Sequence, residues 1–149
     1  MTVPREEVEY LDVEDLLSLT RMLGAGPVRD LGLLDSACAR PRSTALGVDA
    51  YPTLEGKAAA LLHSLVRNRG LVDGNRRLAW PAALVFLDVN GRSVELDDEA
   101  AFQLVMAAAE GSLEVDEIAR RLGGYVNEGR PLGLRGDVAN VGEVLDGLE

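Results

Sequence analysis

The chain has 149 residues, of which 47% are hydrophobic and only 4% aromatic, and its formal net charge at pH 7 is −10. A chain of this length is expected to fold as one domain around a single core. Because an excess of acidic residues repels phosphate, the composition argues against general binding to DNA, RNA or an anionic membrane. Cys38 is the only cysteine, which excludes an internal disulfide and fits a reducing cytoplasm.

Alanine and leucine dominate the hydrophobic residues, and this composition favours an all-α helical bundle. The first helix is predicted over 13–23, with Asp12 as its N-cap and Gly24 at its end. A second, shorter helix is predicted over 31–39. Residues 40–52 contain two prolines and no helical period, which indicates a loop or a hairpin.

The centre of the chain predicts the two helices that build the core. Thr53 is expected to cap a helix over 54–68, which Gly70 ends. The segment 76–89 is apolar on nearly every side, a pattern typical of a helix buried in the middle of a bundle.

Two further helices are predicted after a short extended piece at 93–96. Asp97 or Asp98 caps the first of them, which ends at Ala109 and is expected to turn Phe102, Val105, Met106 and Ala109 inward. The second covers 115–122. We therefore expect one domain over 1–127 and a weakly ordered tail over 128–149, where periodicity fades. Because the longest apolar run is too short to cross a bilayer and no signal peptide opens the chain, a cytoplasmic location is expected.

One short stretch reverses the acidic balance of the chain. Residues 67–77 carry four arginines against Asp73 alone, and Gly74 and Asn75 lie among them. A glycine-containing loop at a helix N-terminus offers free N–H groups and the positive end of the helix dipole to a phosphate. Arg76 and Arg77 add guanidinium groups suited to phosphate oxygens, and a carboxylate beside them suits magnesium. A tight turn with surface arginines explains the same residues equally well.

The run from Leu62 to Trp80 closely resembles the signature of the Fic/Doc family, H-x-F-x-[DE]-G-N-x-R. The segments 28–37, 50–53, 57–60 and 84–91 are similar to the flanking segments of bacterial Doc homologues. The cation at Arg76, with Trp80 in place of a second arginine, favours the Doc-type (death-on-curing) toxins over the branch that transfers AMP.

This resemblance implies a fold and an activity. The fold is a helical bundle around a buried central helix, with a small hairpin or flap before the motif helix. The activity is phosphoryl transfer from ATP to a protein hydroxyl, expected to be a threonine of elongation factor Tu, which would inhibit translation. AMP transfer, or a non-catalytic module that binds a nucleotide or an antitoxin, remains open. A small Phd-like antitoxin is the expected partner.

The resemblance also assigns residues. Asp73 is expected to bind Mg²⁺, and the phosphates of ATP are expected to contact the adjacent loop. The flap that docks the target as an added strand corresponds to the loop from Arg42 to Ala50. The phosphate-binding residues are Gly74, Asn75, Arg76 and Arg77, and the target-docking residues are Arg42, Ser43, Thr44, Ala45, Leu46 and Gly47.

Arg69 departs from the family pattern at the catalytic position. The family has there the histidine that takes the proton from the target hydroxyl, whereas an arginine stays protonated and cannot act as a general base at neutral pH. The chain is therefore expected to bind a nucleotide and to transfer little, either as an inactivated toxin or as a natural pseudo-enzyme. His63, the only histidine, lies six residues earlier and is expected to be a packed structural side chain.

Overall fold

The computed structural model describes residues 7–128, and this part of the chain is mainly helical. It contains six α-helices and two small antiparallel sheets of two strands each, which confirms the predicted mostly-α fold. The helices are α1 Val13–Met22, α2 Leu31–Ala39, α3 Leu54–Asn68, α4 Asn75–Val89, α5 Asp98–Glu110 and α6 Val115–Gly123, and the strands are β1 Thr44–Ala45, β2 Val48–Asp49, β3 Arg92–Val94 and β4 Val126–Glu128.

Four of the six helices, α1, α2, α3 and α5, begin where a side-chain oxygen accepts a hydrogen bond from a backbone N–H of the first turn. Asp12 and Asp15 form a reciprocal capping box at the start of α1. Thr53 accepts a hydrogen bond from the Gly56 N–H at the start of α3, and Asp97 caps α5. Such caps each contribute about 1 kcal/mol to helix stability, so these short polar residues fix the helix boundaries.

The core is built around α3 and α4, which pack against each other, with α2, α5 and α6 on the other sides of α3 and α1 against α4. The apolar face of α3 is buried, and α4 is buried over most of its length. Cys38 is also buried, and this burial raises the pKa of its thiol to about 12. It is therefore a packed, unreactive side chain. No helix within residues 7–128 has the length and hydrophobicity needed to span a membrane.

The hairpin β1–β2 lies between α2 and α3 and projects from the body. Every residue from Arg42 to Ala50 is exposed except Asp49, which is half-buried. The Lys57 Nζ of α3 lies 3.5 Å from Asp49 Oδ2 and donates to the Pro41 carbonyl at 3.3 Å. Lys57 has no exposed surface, and its ammonium also faces the ring of Tyr10. A buried lysine thus ties the hairpin to the core helix.

The prediction of an inward face on α5 is partly wrong. Val105 is buried, but the Phe102 side chain is 58% exposed, and Met106 and Ala109 are only half-buried. The core positions are instead Ala101, Leu104, Val105 and Ala108. The helix is apolar on two neighbouring faces, and periodicity alone does not show which of them packs against α3.

The strand β4 does not follow from the sequence pattern. It pairs with β3 in the register Arg92–Glu128, Ser93–Asn127 and Val94–Val126. Glu128, placed at the start of the predicted tail, is its last residue. The remainder of that tail lies outside the described residues.

Candidate functional site

The loop between α3 and α4 is held by backbone hydrogen bonds to the segment that joins α1 and α2. The Gly26 N–H donates to the Asp73 carbonyl at 2.8 Å, and the Val72 N–H donates to the Pro27 carbonyl at 2.9 Å. The Arg29 N–H donates to the Gly70 carbonyl at 2.7 Å. Residues 70–73 therefore have a fixed backbone even though they form no regular secondary structure.

Asn75 closes this loop from the inside. Its Oδ1 accepts from the Leu71 N–H and its Nδ2 donates to the Leu71 carbonyl, both at 2.9 Å. The side-chain amide of Asn75 thus fixes the conformation of the loop. Its backbone N–H lies in the first turn of α4.

Gly74 is the N-cap of α4, and no side chain caps this helix end. Its φ of 93° belongs to the left-handed region, which glycine adopts without steric cost. A Cβ placed on it would lie 2.5 Å from the Cβ of Ala25. The loop is thus packed too closely for any other residue. The first N–H groups of a helix have no partner within it, so this end of α4 presents donors and the positive end of the helix dipole.

The charged side chains of the loop surround this helix end. Arg77 Nη2 lies 3.6 Å from the Asp73 carboxylate, and Arg77 Nη1 donates to the Leu23 carbonyl at 3.2 Å. Both side chains stay accessible, with 46% and 83% exposed. Arg76 extends towards α5, where its Nη1 lies 3.1 Å from the Met106 sulfur.

Arg69 follows the last residue of α3 and has a left-handed backbone, with φ 56° and ψ 57°. The predicted bounds of this helix, 54–68, are confirmed, but the left-handed residue that ends it is Arg69 and not the adjacent Gly70. The Arg29 guanidinium explains how a non-glycine residue is held there, since it donates to the Arg69 carbonyl at 2.8 Å from Nε and to the Asn68 carbonyl at 3.1 Å from Nη2. A cation at a helix C-terminus also offsets the negative end of the helix dipole.

An open cleft of about 730 Å³ lies between this loop, the start of α4 and the outer face of α5, a size typical of small-molecule sites. Trp80 forms part of its wall and is 94% buried, with an indole N–H that has no partner among the described residues. Six of the residues singled out in the sequence line the cleft together: Arg69, Asp73, Gly74, Asn75, Arg76 and Arg77. The hairpin residues Arg42 to Gly47 do not line it.

His63 is a structural side chain, as expected. Arg40 is always a donor, so its Nη1 at 2.8 Å makes Nδ1 of His63 the acceptor. The Nε2 then carries the proton and lies 3.4 Å from the Glu114 carboxylate. Burial, with Arg40 as the next contribution, lowers the pKa of His63 although Glu114 acts in the opposite direction. The imidazole is therefore held neutral, away from the cleft.

We expect this histidine to make folding sensitive to mild acid. Because the pKa of His63 is lower in the folded chain than the ordinary 6.5, its stabilising contribution is present above that value and is lost as the pH falls through the folded pKa. His63→Gln keeps an acceptor for Arg40 and does not titrate. Urea unfolding between pH about 7.5 and about 5.5 should show a larger loss of unfolding free energy for the wild type than for the variant. Equal losses would contradict this prediction.

Two residues of the site were not found from the sequence. Arg29 acts across 40 residues of sequence, and only the pairing of the two loops reveals it. Phe102 was taken as a core residue, whereas it stands exposed on the cleft wall.

Comparison with known proteins gives one family and a close relative. The Fic/DOC family pattern matches residues 10–87. The chain is 50% identical over 121 residues to "Toxin Doc" of Mycolicibacterium smegmatis, and this match covers 78% of the chain and 93% of the relative. The matched family segment contains the whole loop from Arg69 to Arg77.

Proposed function

This chain belongs to the Fic/Doc family, among its Doc-type toxins, and from this premise we propose that it binds ATP with Mg²⁺ in the cleft. The observation that carries the proposal is the start of α4. There the uncapped N-terminus, Gly74 and two accessible guanidinium groups face one cleft. Each of these features favours a phosphate, and together they suit a polyphosphate.

The residues present fit a magnesium ion that arrives with the nucleotide. No cluster of three or more His, Cys, Asp or Glu side chains exists within residues 7–128, so a site made only of protein ligands is absent there. Mg²⁺ needs only one or two carboxylates when phosphates supply further oxygens. Asp73, exposed at the cleft, would be that carboxylate, and the ion would neutralise phosphate charge.

The reaction we propose is phosphoryl transfer from ATP to a protein hydroxyl, with a threonine of elongation factor Tu as the expected acceptor and arrest of translation as the result. The exposed hairpin supports a docking role, because a two-stranded sheet leaves an open edge to which an extended target segment can be added. Residues Arg42 to Gly47 form the start and turn of this hairpin. AMP transfer is the alternative reaction, and the mass added to the target separates the two.

We also propose that this form of the chain is catalytically impaired, because position 69 is an arginine. Its side chain lines the cleft at the first position of the family motif, where a general base is required. A guanidinium offers donors and no acceptor, so it binds phosphate but cannot remove the hydroxyl proton. Nucleotide binding without transfer follows.

The proposed function includes a protein partner, an antitoxin. A Doc-type toxin implies a toxin–antitoxin system, and we propose a small Phd-like antitoxin as the protein that holds this chain. If the nucleotide site is vestigial, engagement of the antitoxin is the remaining function.

Titration with ATP tests the proposed function. At an ATP concentration about 100 times the Kd, binding should stabilise the folded chain by about 2.7 kcal/mol, measured as a rise in melting temperature. The rise should require Mg²⁺ and disappear in Asp73→Ala. Because this substitution also frees Arg77 from its ion pair, binding of tripolyphosphate without Mg²⁺ should not weaken.

Asp35→Ala is the matched control, since it removes one exposed carboxylate on α2 away from the cleft. It should bind MgATP as the wild type does. Absence of any effect of ATP on the wild type would exclude the nucleotide site and leave the antitoxin-binding module.

A further inference from the structure

We propose that the outer face of α5 binds the base of the nucleotide, with Phe102 as its stacking surface. The inference rests on the proposed function and adds the direction in which the ligand lies. It concerns a wall of the cleft that the loop motif does not include.

The face is apolar and accessible. The Phe102 side chain is 58% exposed, and Met106 and Ala109 lie along the same wall one and two turns further on. An exposed phenylalanine on a cleft wall leaves a flat apolar ring available to a ligand. Nucleobases stack on such rings, and this contact tolerates different bases.

Negative charge disfavours phosphates at both ends of this wall. Asp98 and Glu110 lie at the two ends of α5 and both line the cleft, so a polyphosphate along α5 would meet a carboxylate at either end. Arg69 and Arg77 lie on the side of the loop, and Arg76 also starts there, although its guanidinium reaches across to Met106. A ligand with one anionic and one uncharged aromatic end is therefore oriented with its phosphates at α4 and its base on α5.

The two sides are close enough for one ligand. Arg76 starts in the first turn of α4 and reaches the Met106 sulfur of α5 at 3.1 Å. The phosphate side and the apolar wall are thus one side-chain length apart. A nucleotide that displaces the Arg76 guanidinium towards its phosphates would uncover the wall beside Phe102.

The experiment compares MgATP with magnesium tripolyphosphate, which lacks the base and the ribose. Affinities are measured by calorimetry and by the fluorescence of Trp80, the only tryptophan of the chain, for the wild type, Phe102→Ala and Phe102→Leu. Phe102→Ala is expected to weaken MgATP binding about tenfold, since base stacking contributes on that order, and to leave tripolyphosphate binding unchanged. Phe102→Leu should lie between the two. Tyr125→Ala removes a similarly exposed aromatic side chain outside the cleft and should change neither affinity.

The outcomes separate the two proposals. Unchanged MgATP affinity in Phe102→Ala overturns the assignment of the base and leaves the proposed function intact. An equal loss for both ligands also overturns it, because Phe102 would then shape the phosphate site. Failure of the wild type to bind either ligand defeats the proposed function and this inference together.

Discussion

Replacing Arg69 by histidine is expected to raise the rate of phosphoryl transfer from MgATP to the protein target by about 10²–10⁴-fold, the usual contribution of a positioned general base. The backbone supports this substitution, because histidine is among the residues that tolerate a left-handed conformation and Arg29 holds the Arg69 carbonyl through the main chain. The measurement is the intact mass of elongation factor Tu after incubation with the variant and MgATP. Slowed growth of bacteria that express the variant is the cellular counterpart.

Arg69→Gln is the control for charge, since it removes the cation without supplying a base, and it should stay inactive. The double variant Arg69→His with Asp73→Ala should also be inactive if Mg²⁺ is needed. A mass gain of AMP instead of a phosphoryl group would replace the kinase proposal with AMP transfer. An inert Arg69→His protein that still binds MgATP would contradict the assigned role of position 69.

Gly74→Ala is expected to lower the unfolding free energy by about 2–4 kcal/mol and to weaken nucleotide binding. Two costs add here: a left-handed backbone for a residue with a Cβ, and a contact at 2.5 Å with the Cβ of Ala25. Backbone hydrogen bonds hold the segment between α1 and α2, which contains Ala25, so this segment cannot easily move away from residue 74. Chemical denaturation gives the free energy, and calorimetry gives the affinity for MgATP.

A second substitution separates the two costs. Ala25→Gly removes the atom that the new methyl group meets, so the double variant should recover the steric part and retain the backbone part. Gly24→Ala is the matched control, because Gly24 also has a positive φ but no atom within 4 Å of an added Cβ. It should cost about 1 kcal/mol. A double variant no more stable than Gly74→Ala would contradict the steric explanation.

The sequence predicts the helices well because their boundaries depend on local chemistry. Asp12, Thr53 and Asp97 each cap the helix that they precede, and a cap needs only an oxygen within three residues of the first free N–H groups. The near-continuous hydrophobicity of 76–89 likewise indicates burial without knowledge of the partner. The loop motif placed its six residues at one cleft because they are adjacent in the chain.

What the sequence does not predict depends on distant partners. Gly70 is the better helix terminator by propensity, yet Arg69 takes the left-handed position, and Arg29, far away in sequence, bonds its carbonyl. The orientation of Phe102 is decided by which face of α5 meets α3. The pairing of β4 with β3 depends on a register that no local pattern contains.

The burial of Lys57 has a practical consequence, because it is the only lysine in the chain. The folded protein presents no ε-amino group to solvent, so acylating reagents can reach only the α-amino group of the chain. A protease specific for lysine can cut only molecules in which α3 has opened, and its cleavage rate therefore reports that opening directly. Lys57, which ties the hairpin to the core, is therefore also a probe of the local opening of α3.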